Sequence, residues 1–128
     1  RSSLSKQIGK LGLEDRVHMP GYVENVYAYF KLADACILSS RIEGFPNVLL
    51  QMMSQNTAIV ATLSAGGIDE IPGICTCEPE NVEKLKVCIQ EVIEKDTSKN
   101  RQLFDSFLEL RTQKAFYSRI MNHIEKTE

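Results

Sequence analysis

The sequence predicts an α/β fold with a parallel sheet, and three observations support that class. Short apolar runs that fit buried strands recur along the chain, most clearly at residues 35–38 and 58–61. Segments with apolar residues at helical spacing lie between and after these runs. The length of 128 residues suits one domain that buries a core. Strands that alternate with helices are typical of a parallel sheet covered by helices.

The first part of the chain predicts helix, strand, helix and strand in that order. A helix over residues 2–12 is predicted from apolar residues at helical spacing, which are Leu4, Ile8 and Leu11. A short strand is predicted over residues 16–19, before Pro20. The next helix has an apolar face, made of Val26, Tyr29, Phe30 and Ala33. Residues 35–38 form the strand that follows it.

The rest of the chain continues the alternation and then becomes helical. After a helix that begins near Asn47, residues 58–61 predict a buried strand, residues 68–71 a short helical turn and residues 73–77 a weaker strand. An amphipathic pattern predicts a helix over residues 81–94. Two further helical stripes consist of Leu103, Phe104, Phe107 and Leu108, and of Phe116, Tyr117, Ile120, Met121 and Ile124. Phe116 and Tyr117 are expected to pack in the core or to dock on another domain.

The composition excludes several classes of function. A net charge of −2 does not favour a nucleic-acid partner. No apolar run approaches the length of a membrane span. We therefore expect a cytoplasmic protein, with contact at the inner membrane face left open for a fuller protein. The four cysteines, Cys36, Cys75, Cys77 and Cys88, do not match zinc-site spacing, so reduced structural thiols and no metal are expected.

A polar segment, residues 39–46, separates the strand at residues 35–38 from the following helix. Glu43 in this turn can accept hydrogen bonds from hydroxyl groups, and Asn47 and Gln51 fall on one face of the helix. The first amides of that helix, near Asn47 and Val48, favour a negative group such as a phosphate. On this chemistry alone, an ordinary surface turn is favoured over a ligand site, because many surface turns combine Glu, Gly and Asn.

Six segments of the chain carry a resemblance to a known family, and they are residues 11–17, 20–23, 33–35, 39–41, 43–50 and 66–71. In order and spacing they resemble the nucleotide-sugar-binding, C-terminal domain of GT-B glycosyltransferases, specifically the retaining family 4 (group 1 type). The segment from Glu43 to Asn47 is the most diagnostic. The resemblance implies a Rossmann-like sheet.

The resemblance also assigns roles to individual residues. It implies that Glu43, the first acid of an E-x7-E motif, is the catalytic residue that contacts donor sugar hydroxyls. It places the sugar and phosphates on Gly44, Phe45, Pro46, Asn47, Val48 and Leu49. Tyr22 and Val23 match a loop beside the nucleotide base. The second acid of the motif, which bonds the ribose, is replaced here by Gln51, which lacks the charge-assisted strength of a carboxylate.

The implied function is retaining transfer from a nucleotide-diphosphate sugar, expected to be a UDP-sugar, to an acceptor hydroxyl. The resemblance suggests polysaccharide or lipopolysaccharide biosynthesis without a cofactor or metal. Gln51 keeps open an alternative, a non-catalytic nucleotide-sugar-binding or assembly module derived from such an enzyme.

Two parts of the family pattern are not found in the sequence. They are the first two strands of the domain, with their basic phosphate clamp, and the N-terminal domain that would bind a glycan or lipid-linked acceptor. We therefore expect residues 1–128 to be a single partial C-terminal donor-binding domain that is inactive alone. Such a sheet would expose a strand edge, so self-association of neighbouring copies by pairing or swapping is the alternative expectation.

Overall fold

Three parallel strands form the centre of the structure, in the order β1-β2-β3. The computed structural model describes residues 2–124, except the side chains of residues 2, 123 and 124, so the predicted apolar role of Ile124 lies outside the described residues. The elements in chain order are α1 (Ser2–Lys10), α2 (Val26–Leu32), β1 (Cys36–Leu38), α3 (Asn47–Gln55), β2 (Ile59–Thr62), β3 (Cys75–Cys77), α4 (Val82–Glu94), α5 (Asn100–Glu109) and α6 (Gln113–Ile124). The predicted α/β class with a parallel, Rossmann-like sheet is confirmed.

Strand β2 lies between the other two strands, and all four of its residues are buried. Ile37 of β1 is opposite Val60, and Ala61 is opposite Thr76 of β3. Successive side chains of a strand point to opposite faces of the sheet. The continuous apolar run of β2 therefore means that both faces of this sheet are covered.

The two faces of β2 belong to two separate hydrophobic clusters. Ile59 and Ala61 lie in one cluster, whose other fully buried members include Leu49 and Met53 from α3 and Phe104 from α5. Val60 lies in the other cluster, with Cys88 and Val92 from α4. Helices α3 and α5 thus cover one face and α4 covers the other, which is why their apolar stripes were readable from the sequence.

Asn56, directly after α3, joins three parts of the chain through its side chain. Its Nδ2 group donates to the carbonyl oxygens of Phe30 and Ala33, each at 2.7 Å. Its Oδ1 atom accepts from the backbone N–H of Ala58 at 2.8 Å. The end of α2 is therefore fixed to the segment that begins β2.

Asn100, at the start of α5, makes a similar connection on the other side of β2. Its Nδ2 group donates to the carbonyl oxygens of Thr57 at 3.0 Å and Gly73 at 2.9 Å. Gly73 has a φ of +86°, and a Cβ atom there would lie 2.9 Å from Oδ1 of Asn100. A side chain at position 73 would be strained by its backbone and would also displace this amide.

All four cysteines are free thiols, and Cys36, Cys77 and Cys88 are buried. Burial, with contributions from Cys88 and Glu91, raises the pKa of Cys75 to about 12. The Cys75 thiol lies 3.8 Å from Oε2 of Glu91 and acts there as a hydrogen-bond donor. Within residues 2–124, no group of three or more His, Cys, Asp or Glu side chains is arranged to hold a metal ion.

Two predicted elements are wrong. Residues 16–19 do not form a strand, because the backbone N–H groups of Arg16 and Val17 both donate to the carbonyl oxygen of Leu13, which closes a turn after α1. The predicted helical turn at residues 68–71 is a hydrogen-bonded turn, with the N–H of Ile71 donating to the carbonyl oxygen of Ile68 at 3.2 Å. A segment this short makes too few hydrogen bonds to count as a helix.

Helix α6 leaves its aromatic side chains in solvent. Phe116 and Tyr117 are 63% and 64% exposed, so the expectation that they pack in the core of the described chain is wrong. Docking on another domain stays a prediction. Among the described helices, none combines the length and the apolarity that a membrane crossing requires.

The hydrogen bonds of Asn56 lead to a prediction about stability. Asn56→Ala is expected to lower the free energy of unfolding by about 3 kcal/mol, because it removes three hydrogen bonds that join the end of α2 to the segment before β2. Asn56→Asp should cost at least as much, since a carboxylate would face the two carbonyl oxygens that the amide now satisfies. Urea denaturation measures both changes. Asn122→Ala, at an exposed position of α6, is the control and should stay within about 0.5 kcal/mol of the parent. An Asn56→Ala loss no larger than that of the control would contradict this role.

Candidate functional site

The polar turn predicted from the sequence lies between the carboxyl end of β1 and the amino end of α3, over residues 39–46. The loop after β2, residues 63–67, begins at the same edge of the sheet because the strands are parallel. In open α/β sheets, ligands bind beyond the carboxyl ends of the strands. The turn is therefore in the part of the fold where a ligand site is expected.

Glu43 is attached to the rest of the site at its backbone and at its side chain. Its N–H group donates to the carbonyl oxygen of Ser64 at 2.8 Å, which joins the turn to the loop after β2. The Ser40 hydroxyl donates to Oε1 of Glu43 at 2.6 Å. Glu43 is exposed, and Oε2 has no hydrogen-bond partner within the described part of the chain. One carboxylate oxygen is thus held by the protein, and the other is available to a ligand.

Thr62, the last residue of β2, contacts the backbone at the start of the turn. Its side chain is buried, and its hydroxyl lies 2.5 Å from the carbonyl oxygen of Ser40 and 3.3 Å from that of Leu38. No role for Ser40, Thr62 or Ser64 was predicted from the sequence. The spacing of Ser40 and Glu43, three residues apart in one turn, is short enough for the hydroxyl to reach the carboxylate, as the structure shows. Nothing local in the sequence indicated the contact from Thr62.

The amino end of α3 has no side-chain cap. Pro46 occupies the N-cap position and makes no side-chain hydrogen bond, and the first turn contains no acidic residue. The N–H of Leu49 donates to the carbonyl oxygen of Pro46 at 2.9 Å, whereas the N–H groups of Asn47 and Val48 have no partner among residues 2–124. Uncapped N–H groups and the helix dipole favour an anion at this point.

The side chains of the turn and of α3 divide into buried and accessible groups. Leu49 is fully buried, so the ligand role predicted for it would be limited to its backbone. Phe45 and Asn47 are exposed. Gln51 is half-buried, and its side-chain amide has no partner among the described residues. Asn47 and Gln51, four residues apart in α3, therefore both present unpaired amides.

The structure does not bring the predicted base-binding residues into the turn. Tyr22 and Val23 lie in the loop between α1 and α2, and Tyr22 is 91% exposed. Within the described residues, no hydrogen bond or ring contact joins either of them to the segment that contains Glu43. Their assignment to a nucleotide base stays a prediction.

A cavity of about 350 Å³ lies at the same edge of the sheet, where the start of the polar turn faces α4. It is lined by Ser39, Arg41, Thr62, Glu78, Glu80, Asn81, Val82 and Leu85. Arg41 forms an exposed ion pair with Glu80, with 3.0 Å between Nε and Oε1. Both side chains of this pair are largely exposed, so water screens the interaction and it contributes little to stability.

Comparison with known proteins gives a family match over most of the chain. The family described as glycosyl transferases group 1 matches residues 1–95. Mannosylfructose-phosphate synthase of Agrobacterium fabrum is 36% identical over 67 residues, which are 51% of this chain and 15% of that protein. An uncharacterized glycosyltransferase of Methanocaldococcus jannaschii is 30% identical over 71 residues, which are 56% of this chain and 18% of that protein.

A third relative comes from Campylobacter jejuni. It is N-acetylgalactosamine-N,N'-diacetylbacillosaminyl-diphospho-undecaprenol 4-alpha-N-acetylgalactosaminyltransferase, which is 32% identical over 73 residues. The match covers 57% of this chain and 20% of that protein. The chain thus corresponds to a fifth or less of the length of the curated relatives that it matches.

Two glycines of the site lead to a matched pair of predictions. Gly67 has a φ of +84° and Gly44 does not lie in the left-handed region, while a Cβ atom at either position would meet nothing within 4 Å. Gly67→Ala should therefore lower the free energy of unfolding by about 1–2 kcal/mol through backbone strain alone. Gly44→Ala should leave it unchanged or raise it by up to about 1 kcal/mol. Thermal or urea denaturation measures the free energy of unfolding of both variants. Equal losses of stability in the two variants would contradict the left-handed backbone conformation at Gly67.

Proposed function

We propose, since this chain belongs to the family of glycosyl transferases group 1, that it forms part of the donor-binding region of an enzyme that uses a nucleotide-diphosphate sugar. The observation that carries the proposal is the position of Glu43 beside the uncapped amino end of α3. A carboxylate that accepts from hydroxyl groups and N–H groups that face an anion suit the two halves of a sugar phosphate.

In this proposal each part of the turn has a separate task. Glu43 is the catalytic residue and accepts hydrogen bonds from hydroxyl groups of the transferred sugar through Oε2. The backbone of residues 44–47 lies along the sugar and the adjoining phosphate. The N–H groups of Asn47 and Val48 bind the diphosphate, and the Gln51 amide bonds the ribose hydroxyls. Tyr22 and Val23, in the loop between α1 and α2, contact the nucleotide base.

The helix terminus supplies the electrostatic part of the proposed chemistry. When the glycosyl bond breaks, negative charge develops on the leaving diphosphate. N–H groups that already point at that position stabilise the charge without having to reorient. We therefore propose that the transfer needs neither a metal ion nor a cofactor, and that further basic groups come from outside residues 2–124.

The proposed reaction is retaining transfer from a UDP-sugar to a hydroxyl group of a glycan or a lipid-linked acceptor, bound by a separate N-terminal domain. The Campylobacter relative, whose name places its acceptor on diphospho-undecaprenol, supports this acceptor class. Polysaccharide or lipopolysaccharide biosynthesis in the cytoplasm, at the inner face of the membrane, belongs to the same proposal. The proposal also assigns residues 1–128 to a partial C-terminal domain that is inactive alone.

Gln51 favours a second candidate function, a nucleotide-sugar-binding or assembly module without catalytic activity. An amide binds a ribose diol more weakly than a carboxylate does, because only the carboxylate forms charge-assisted hydrogen bonds. If Gln51 binds the ribose too weakly to retain the donor, the turn would keep its fold but would no longer support sugar transfer.

The outer edge of β1 is a surface through which two copies of the chain could pair. Within the described residues β1 pairs only with β2, and Ile37 is 40% exposed. A further strand along this edge would complete the pairing of β1. Self-association of the chain through this edge stays a prediction.

Calorimetric titration tests the proposed function and separates it from the second candidate. We expect the parent chain to bind one of UDP, UDP-glucose, GDP or GDP-mannose, and Gln51→Glu to bind the same compound about tenfold more tightly through charge-assisted bonds to the ribose. Gln55→Glu, which makes the same change one turn later in α3, is the control for added charge and should not gain affinity.

The outcomes of this titration are distinct. Binding by Gln51→Glu with none by the parent would favour the non-catalytic module. No binding by either chain would contradict the proposed donor site.

A further inference from the structure

Glu43 lies on a turn without regular backbone pairing, but hydrogen bonds restrain both its backbone and its carboxylate. Its backbone N–H donates to Ser64, which fixes the main chain and leaves the side chain free to rotate. Among the described residues, only the Ser40 hydroxyl bonds the side chain, at 2.6 Å from Oε1. That distance is typical of a strong hydrogen bond between a hydroxyl group and an ionised carboxylate.

Ser40 is itself held by the sheet. Its carbonyl oxygen accepts a hydrogen bond at 2.5 Å from the hydroxyl of Thr62, which is 3% exposed at the end of β2. Thr62 is β-branched, so its χ1 angle has few alternatives within a packed strand. A continuous series of contacts therefore leads from the buried strand, through Thr62 and Ser40, to one oxygen of Glu43.

We propose that Ser40 is a positioning residue that orients the Glu43 carboxylate so that Oε2 faces the donor sugar. The inference rests on the proposed function for the identity of the ligand, and on the contacts above for the geometry. Removing the Ser40 hydroxyl would release the side chain of Glu43, which would then lose rotamer freedom each time a sugar binds. Ser40 thus determines the ratio between the affinity for the nucleotide sugar and the affinity for the nucleoside diphosphate without the sugar.

A purely structural role for Ser40 makes a different prediction. If the hydroxyl only satisfies polar groups of the turn, its loss would loosen the whole turn. Binding of the diphosphate at the amino end of α3 would then weaken as much as binding of the complete donor. The ratio of the two affinities separates the two roles.

The test compares Ser40→Ala and Ser40→Thr with the parent by calorimetry, using UDP with UDP-glucose and GDP with GDP-mannose as matched pairs. Ser40→Ala should weaken binding of the sugar nucleotide about tenfold and leave the nucleoside diphosphate little changed. Ser40→Thr keeps the hydroxyl and should restore most of the loss. Ser39→Ala is the control, because Ser39 is an exposed neighbour and makes no hydrogen bond within the described residues. Equal weakening of both members of a pair would overturn the inference.

A second measurement needs no ligand, so it separates failure of this inference from failure of the proposed function. In a chain labelled with ¹³C at glutamate, the side-chain carboxyl resonance of Glu43 should move in Ser40→Ala and stay in Ser40→Thr and Ser39→Ala. An unmoved resonance in Ser40→Ala would overturn the positioning role. If the resonance moves as expected but no nucleotide binds to any chain, the donor assignment fails and the orientation of Glu43 by Ser40 stands.

Discussion

Burial of β2 on both faces, together with parallel pairing on both of its edges, fixes the positions of the other elements. Helices α3 and α5 cover the face that contains Ile59 and Ala61, and α4 covers the face that contains Val60. An apolar strand in this position gains stability from two layers at once. The side chains of Asn56 and Asn100 bond the segment that leads into β2 to the end of α2 and to the segment before β3, so a shift of the strand would break these hydrogen bonds.

The candidate site is held in place by hydrogen bonds to β2 and to the loop that follows it. Thr62 ends β2 and bonds the carbonyl oxygen of Ser40, while Ser64 in the following loop accepts from the N–H of Glu43. A polar turn with no regular structure of its own is thus attached to the fully buried central strand. This division is common in α/β proteins, where loops carry the chemistry and a packed sheet positions them. The uncapped amino end of α3 adds a fixed, partly positive group beside the carboxylate.

The sequence predicted the features that depend on apolar pattern and missed those that depend on long-range polar contacts. Buried strands and amphipathic helices leave a local signature, which is why all nine described elements arise close to their predicted segments, with α1 ending two residues before its predicted end. The two surplus predictions were the strand at residues 16–19 and the helical turn at residues 68–71. Residues 16–19 had a strand-like composition, but the N–H groups of Arg16 and Val17 bond back to Leu13. The bonds of Asn56 and Asn100 join residues 23 to 43 positions apart, and no local pattern encodes them. For the site, the turn and the helix that follows it were predictable, whereas the support from Thr62 was not.

The central claim is that the turn at Glu43 and the amino end of α3 together form a nucleotide-sugar site. Titration of the ¹⁵N-labelled chain with UDP-glucose and GDP-mannose, followed through backbone amide resonances, tests it most directly. We expect the largest shifts at Gly44, Asn47 and Val48, whose amides lie on the proposed path of the sugar and the diphosphate. Shifts confined to the cavity beside α4, at Glu78, Asn81 and Val82, or no shifts at all, would contradict it.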